Sequence, residues 1–309
     1  MSSGNFLFLF LIILGPILRL SSSNWLICWV GIEVTFLGLI PLLVSSERSF
    51  FRLRKESSIK YFCIQALGRG ILLFRGITLF ILPVDLGVFP SILFLVRLLI
   101  KLGVFPTHFW VPGVVSGLSI FSIFLVLTWQ KIVPFFLLVS LLDAFPDLQV
   151  VVLFLGGLRA LVGAIIGLNQ TQLGPILGAS SITHGGWLIL GSVYGNIWVY
   201  FVIYCINFSV LVYFLWVKDN IFRGLLVLSL SGLPPFFIFI GKWAVFKAVL
   251  SAGGNIWRLL LPLLGSVIRL FFYLKFFYSF YLEEKNLKLK TLGYVSFSAL
   301  LGLFYVVFF

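Results

Sequence analysis

The chain has 309 residues, of which 61% are hydrophobic and only 10% charged, and its mean hydropathy is +1.18. A soluble domain carries about 25% charged residues, so this composition excludes a water-soluble fold. The net charge of +13 does not mark a nucleic-acid binder, because the cations are scattered among apolar runs and form no basic face interleaved with aromatics.

From Phe6 to Phe309 apolar runs recur with short gaps. Each is near the ~20 residues a helix needs to cross a bilayer. They lack an alternating period and exceed the ~9–11 residues of a barrel strand. Helices satisfy their own backbone groups in lipid, so the expected fold is all-α, a polytopic transmembrane bundle. About eleven spans are predicted, near 4–20, 24–44, 58–81, 87–111, 117–141, 148–168, 176–192, 195–217, 224–250, 255–280 and 292–309. No polar linker separates them, so 1–309 reads as a single domain. The first run, Phe6–Leu18, has no basic segment before it and is expected to be a span rather than a cleaved signal. Cys28, Cys63 and Cys205 fit neither a metal site nor a disulfide framework and are expected to pack as small apolar residues.

Eleven spans place the termini on opposite sides and sort the connections into two groups. One holds Arg48, Arg52, Arg54, Lys55, Lys60, Lys218, Arg223, Lys285, Lys288 and Lys290; the other holds only Arg19 and Arg258 as cations. The Lys/Arg excess marks the cytoplasm-equivalent side. The N-terminus is therefore expected on that side and the C-terminus opposite, with the loop cations solvated or on lipid headgroups. The abundance of Phe and Gly against one Met and two His follows T- and G-rich codons, a skew common in organelle genes.

Eleven charges remain inside predicted spans: Glu33, Arg69, Arg75, Arg97, Lys101, Lys131, Arg159, Lys242, Lys247, Arg269 and Lys275. A charge at the bilayer centre costs at least ~2.5–3.5 kcal/mol on insertion scales. Lys247, Lys275, Arg69 and Arg159 are expected to snorkel or to meet lipid or another subunit. Glu33 is the only carboxylate deep in a span, too short to snorkel, and must pair with a cation or carry a proton. Lys101 and Lys131 are also deep, and a lysine, unlike an arginine, can give up its proton when buried. Two deep lysines and one deep carboxylate point to a proton relay; the plainer reading is a static buried ion pair.

Two spans are expected to be discontinuous. One breaks near 101–106 at Lys101-Leu102-Gly103-Val104-Phe105-Pro106, and the other near 231–242 at Ser231-Gly232-Leu233-Pro234-Pro235, with Gly241-Lys242-Trp243 following. Glycine beside proline ends regular helix and frees carbonyls. Such backbone is tolerated at membrane depth only where it is buried in protein or lines a hydrated cavity, as at the ion sites of transporters.

Several stretches resemble the chain-2 family of antiporter-like membrane subunits of respiratory NADH:ubiquinone oxidoreductase, complex I. Lys101–Pro112 is similar to its KLGxxPFHFWVP stretch, and Leu127–Pro134 to its LTWQKLAP. Asn169–Leu173 with Ser180–Trp187 resembles NQTQL followed by SSIAHMGW. Leu228–Trp243 resembles LSLGGLPPLTGFxxKW, and Glu56–Phe62 resembles ESATKYF. Order and spacing hold from about Asn24 to Trp243. The resemblance implies a helical bundle with two discontinuous helices that moves protons and carries no redox centre. By position, Glu33 matches the family's intramembrane glutamate, Lys101 the lysine paired with it, Lys131 the central relay lysine, and Lys242 the lysine at the second broken helix. It also implies a mitochondrial inner-membrane location with the N-terminus in the matrix and the C-terminus in the intermembrane space. Implied partners are the other membrane-arm subunits and membrane lipids, with no nucleic acid. No cofactor is expected in this chain; NADH, FMN, iron–sulfur clusters and ubiquinone are implied in other subunits.

The chain departs from the family pattern at Gly113, where a glutamate is usual, and at Gly174-Pro175, which replaces a basic pair. Arg69, Arg75 and Arg97 add cations to spans that are usually neutral. Arg97, four residues before Lys101, shares its helical face and competes for Glu33. His184 reads either as a further relay group or as a structural histidine, and His108, beside Phe and Trp, as structural. The competing functions are a free-standing cation/proton antiporter and a spacer that has lost pumping.

Overall fold

The computed structural model describes residues 3–22, 25–44, 51–81, 89–217, 219–234 and 236–282. All regular structure among them is helical. The chain divides into two compact units, Met1–Pro146 and Asp147–Phe309.

The first unit contains α1 (Ser3–Ser21), α2 (Trp25–Val44), α3 (Phe51–Ile81), α4 (Phe89–Leu102), α5 (Trp110–Val115), α6 (Ile120–Leu127) and α7 (Ile132–Ala144). The second contains α8 (Leu148–Leu168), α9 (Leu173–Tyr194), α10 (Ile197–Val217), α11 (Asn220–Ser229), α12 (Phe237–Ser251) and α13 (Trp257–Leu282). The first ten expected spans correspond to these helices, taken singly or as broken pairs. The eleventh, 292–309, lies outside the described residues. Among the described residues seven stretches are long and apolar enough to cross a bilayer, including Phe89–Val115 and Ile120–Ala144, which each run through an interruption.

Small residues set the close packing. A Cβ on Gly15 would meet the Gly31 carbonyl at 2.5 Å, and one on Gly38 would meet the Phe8 carbonyl at 2.7 Å, so α1 and α2 lie backbone to backbone. In the second unit Gly163 and Gly186 do the same for α8 and α9. Without a hydrophobic drive between helices in lipid, such approaches supply the van der Waals contact that holds them. Helix α9 is the centre of its unit, with 94% of its membrane-length window buried.

The third expected span starts earlier than 58. Helix α3 begins at Phe51, and its 31 residues span ~46 Å, well beyond a ~30 Å hydrocarbon core. Arg52, Lys55, Glu56 and Lys60 are thus helical and exposed rather than looped, with a Glu56–Lys60 bond of 2.6 Å at i,i+4 spacing. The neighbouring 45–50 lies outside the described residues. Arg223, expected as a loop cation, instead donates to the Phe214 and Leu215 carbonyls at 3.3 and 3.0 Å and caps the end of α10.

Candidate proton-transfer site

Both expected interruptions are present. At the first, α4 ends at Leu102 and Gly103 takes φ +68°. The Val104 amide donates to Leu99 O (2.9 Å) and the Gly103 amide to Ile100 O (3.2 Å), a Schellman closure that needs a left-handed residue. Thr107 Oγ1 also donates to Leu99 O (3.2 Å), and Trp110 Nε1 to Ile100 O (3.1 Å). The carbonyls freed by the break are therefore capped by neutral groups, and Lys101 is left in the last turn of α4 facing two cavities.

The first cavity is lined by Arg19, Thr35, Lys101, Trp129 and Gln130, the second by Tyr61, Gln65, Lys101, Gln130 and Lys131, with apolar neighbours. Each offers about 10 Å³, the space of about one water molecule. Lys131 is 6% exposed and sits in a third interruption that the sequence reading passed over, a single 3₁₀ turn at Trp129–Lys131 between α6 and α7. Trp129 Nε1 donates to Ile12 O at 3.0 Å and fixes that turn against α1. The fold thus brings Lys101 and Lys131 to one small cavity that carries polar groups among apolar ones.

Glu33, on α2, forms its ion pair with Arg69 of α3, and the two side chains are only 22% and 15% exposed. Arg69 does not snorkel: its guanidinium stacks 3.7 Å from the Phe36 ring centroid and bonds inward to the carboxylate. Lys101 remains within electrostatic reach of Glu33, together with Arg97, Arg69 and Arg19. Arg97 is 1% exposed. Arg19, read from sequence as a loop cation, turns inward instead, bonds to Cys28 Sγ and lines the first cavity. Of the three cysteines expected to be buried, Cys28 is buried, Cys205 half-buried and Cys63 exposed. Gly113 has nothing within 4 Å of where a Cβ would stand.

In the second unit α11 ends at Ser229, Gly232 takes φ +68°, and α12 starts at Phe237. Here the freed carbonyls are capped by a charge. Lys242 Nζ donates to Ser231 O at 2.6 Å and lies 3.4 Å from Gly232 O. Lys242 is 8% exposed, with the Trp187 ring centroid 5.9 Å from its Nζ. The buried side chain of His184 meets the Tyr200 hydroxyl at 2.7 Å through Nδ1. Arg159 is fully buried against Gly185 rather than snorkelling, whereas Lys247 and Lys275 are exposed as expected. His108 is buried between the Phe105 and Phe109 rings.

Sequence reasoning gave no role to Tyr61, Gln65, Gln130 or Arg19. The signal for two of them was present: Gln130 adjoins Lys131, and Gln65 lies one turn before Arg69. Among the described residues no group of three or more His, Cys, Asp or Glu side chains comes together.

Broken helices whose freed carbonyls are capped, with lysines beside them, define an antiporter-like membrane protein. The comparisons agree. Residues 22–223 match the family described as NADH:quinone oxidoreductase/Mrp antiporter, TM. NADH-ubiquinone oxidoreductase chain 2 of Albinaria caerulea is 36% identical over 91% of this chain and 90% of its own length; the protein of that name from Lemur catta is 34% identical over 87% and 83%. A chain of respiratory complex I from Thermus thermophilus superposes with a TM-score of 0.76 at 26% identity, over 98% of this chain and 78% of that one. A chain of the Mrp complex from Dietzia has the same fold, with a TM-score of 0.74 at 17% identity, over 87% and 59%. The chain belongs to the NADH:quinone oxidoreductase/Mrp antiporter transmembrane family. It is an antiporter-like subunit of a complex I/Mrp-type assembly, a multi-pass membrane protein of mitochondrial type that associates with other membrane subunits.

Proposed function

We propose that this chain is a proton-translocating, non-redox subunit in the membrane arm of a respiratory NADH:ubiquinone oxidoreductase. It lies in the mitochondrial inner membrane with its N-terminus on the matrix side and its C-terminus in the intermembrane space. Its partners are the other membrane-arm subunits and membrane lipids. Oxidation of NADH by ubiquinone elsewhere in the complex drives proton steps through Glu33, Lys101, Lys131 and Lys242.

The observation that carries this reading is the cavity shared by Lys101 and Lys131. Lysine ammonium and amine forms interconvert by one proton, and the cavity has room for about one water, which would have Gln65, Gln130 and Tyr61 as polar neighbours and would join donor to acceptor. Lys242 provides the same chemistry at the second break, where its ammonium is matched to a backbone carbonyl. Glu33 supplies the negative charge that lets cations accumulate around Lys101.

The test is Lys101→Met, Lys131→Met and Lys242→Met, each in the assembled complex. Proton uptake per NADH oxidised should fall in each while the complex still forms. Unchanged proton-to-electron ratios in all three would remove the relay. Migration of the native chain alone, apart from any large complex, would favour a free-standing antiporter instead.

A further inference from the structure

Lys242 is not the only cation on the Ser231 carbonyl. Arg269, from α13, is fully buried; its Nη2 donates to the same oxygen at 3.1 Å and its Nη1 to Thr183 Oγ1 at 2.8 Å. One carbonyl at the helix break therefore accepts from an ammonium on α12 and a guanidinium on α13. Among the described residues no salt bridge joins either cation to a carboxylate. The two differ in one decisive respect: a lysine exchanges its proton, whereas an arginine in a protein does not.

Resting on the reading of Lys242 as a relay group, we propose that Arg269 is the positioning residue for the proton step at Lys242, a fixed charge that holds the Ser231 carbonyl in both protonation states of the lysine. When Lys242 carries its proton, two positive charges meet one oxygen, and close like charges oppose each other. When the proton leaves, the repulsion ends and the carbonyl keeps a charge-assisted donor in Arg269, so the freed backbone at the break is not left unsatisfied. Thr183 holds the other arm of the guanidinium and so sets where the fixed charge stands. Arg269 itself passes no proton. Without it the ammonium meets no second positive charge at this carbonyl, and the proton leaves Lys242 less readily.

The experiment compares Arg269→Lys, Arg269→Gln and Lys242→Met in the assembled complex, reading NADH-driven proton uptake and the amount of complex. Arg269→Lys keeps the charge and one donor and should retain uptake within about twofold. Arg269→Gln keeps a donor but loses the charge and should slow uptake about tenfold, the equivalent of ~1.4 kcal/mol in the barrier. Equal uptake in the Lys and Gln variants would reduce Arg269 to a carbonyl cap and overturn the inference. If Lys242→Met abolishes uptake while Arg269→Gln is silent, the inference fails and the relay reading stands; if Lys242→Met pumps normally, both fail. Should substitutions at Arg269 block assembly, Thr183→Val removes one of its partners and no charge. It should slow uptake several-fold, and an unaltered rate would overturn the positioning role.

Discussion

The carboxylate of Glu33 accepts its charged hydrogen bond from Arg69, one helix away on α3, and not from Lys101. The pairing leaves Lys101 on a half-buried helix end, within reach of Glu33 and three arginines but held by none of them in an ion pair among the described residues. The carboxylate is thus engaged by an arginine of the neighbouring helix, and the lysine shares its electrostatic surroundings without bonding to it.

That arrangement makes Arg69 and Glu33 interdependent. Removing one partner strands the other charge, a cost of about 3–5 kcal/mol for a fully buried pair and less for this half-buried one. Arg69→Leu should therefore lower the thermal stability of the membrane arm more than Arg69→Leu together with Glu33→Gln does. A double-mutant cycle on melting should give a coupling of about 0.5–3 kcal/mol. Strict additivity would show that the two do not act as a pair.

Gln130 lines both cavities that flank Lys101. A water there needs polar partners to stay. Gln130→Leu should leave assembly intact and cut NADH-driven proton uptake several-fold, with electron transfer reduced in step in tightly coupled membranes. Normal uptake in the assembled variant would mean that protons do not pass through these cavities.

Gly232 should be intolerant of a side chain for two separate reasons. Its φ of +68° costs a non-glycine residue ~1–2 kcal/mol, and a Cβ would stand 2.6 Å from Lys242 Nζ. Gly232→Ala should thus impair pumping as Lys242→Met does. Gly113→Ala, with open space at its Cβ, should assemble and pump as the native chain. Equal behaviour of the two variants would contradict the geometry at the second break.

The exposed Lys55 and Lys60 on the first turns of α3 give a test of sidedness. An amine reagent that does not cross membranes should label them in inverted inner-membrane vesicles and spare them in intact mitochondria with a permeabilised outer membrane. The reverse pattern would invert the assigned topology.

Much of this was legible in the sequence because lipid makes a few features unambiguous. Apolar runs locate the helices, and a glycine followed two or three residues later by proline inside them marks both long breaks, since glycine and proline act through the backbone alone. Depth singled out Glu33, Lys101 and Lys131, while Lys242 drew attention by its place beside the second break and by the resemblance. Partnership was less visible, because it depends on which faces of distant helices meet. Long, flexible side chains made Arg69 and Arg159 read as snorkelling cations or as lipid and subunit contacts, yet one pairs with Glu33 and the other is fully buried. Arg19 read as a loop charge because it closes α1, but its long side chain turns back to Cys28. The 3₁₀ turn at Lys131 has no glycine to announce it, and Pro134 lies three residues beyond Lys131.

The two helix breaks are fastened by different means. The bend after Leu102 is closed by amides, a threonine hydroxyl and an indole, none of which changes charge in any physiological range. The bend after Ser229 is closed in part by an amine. An ammonium offers three N–H donors and a neutral amine two, with one lone pair turned against any carbonyl it faces. The first bend is thus a rigid bracket, whereas one of the two charged fastenings of the second would loosen if its amine lost a proton.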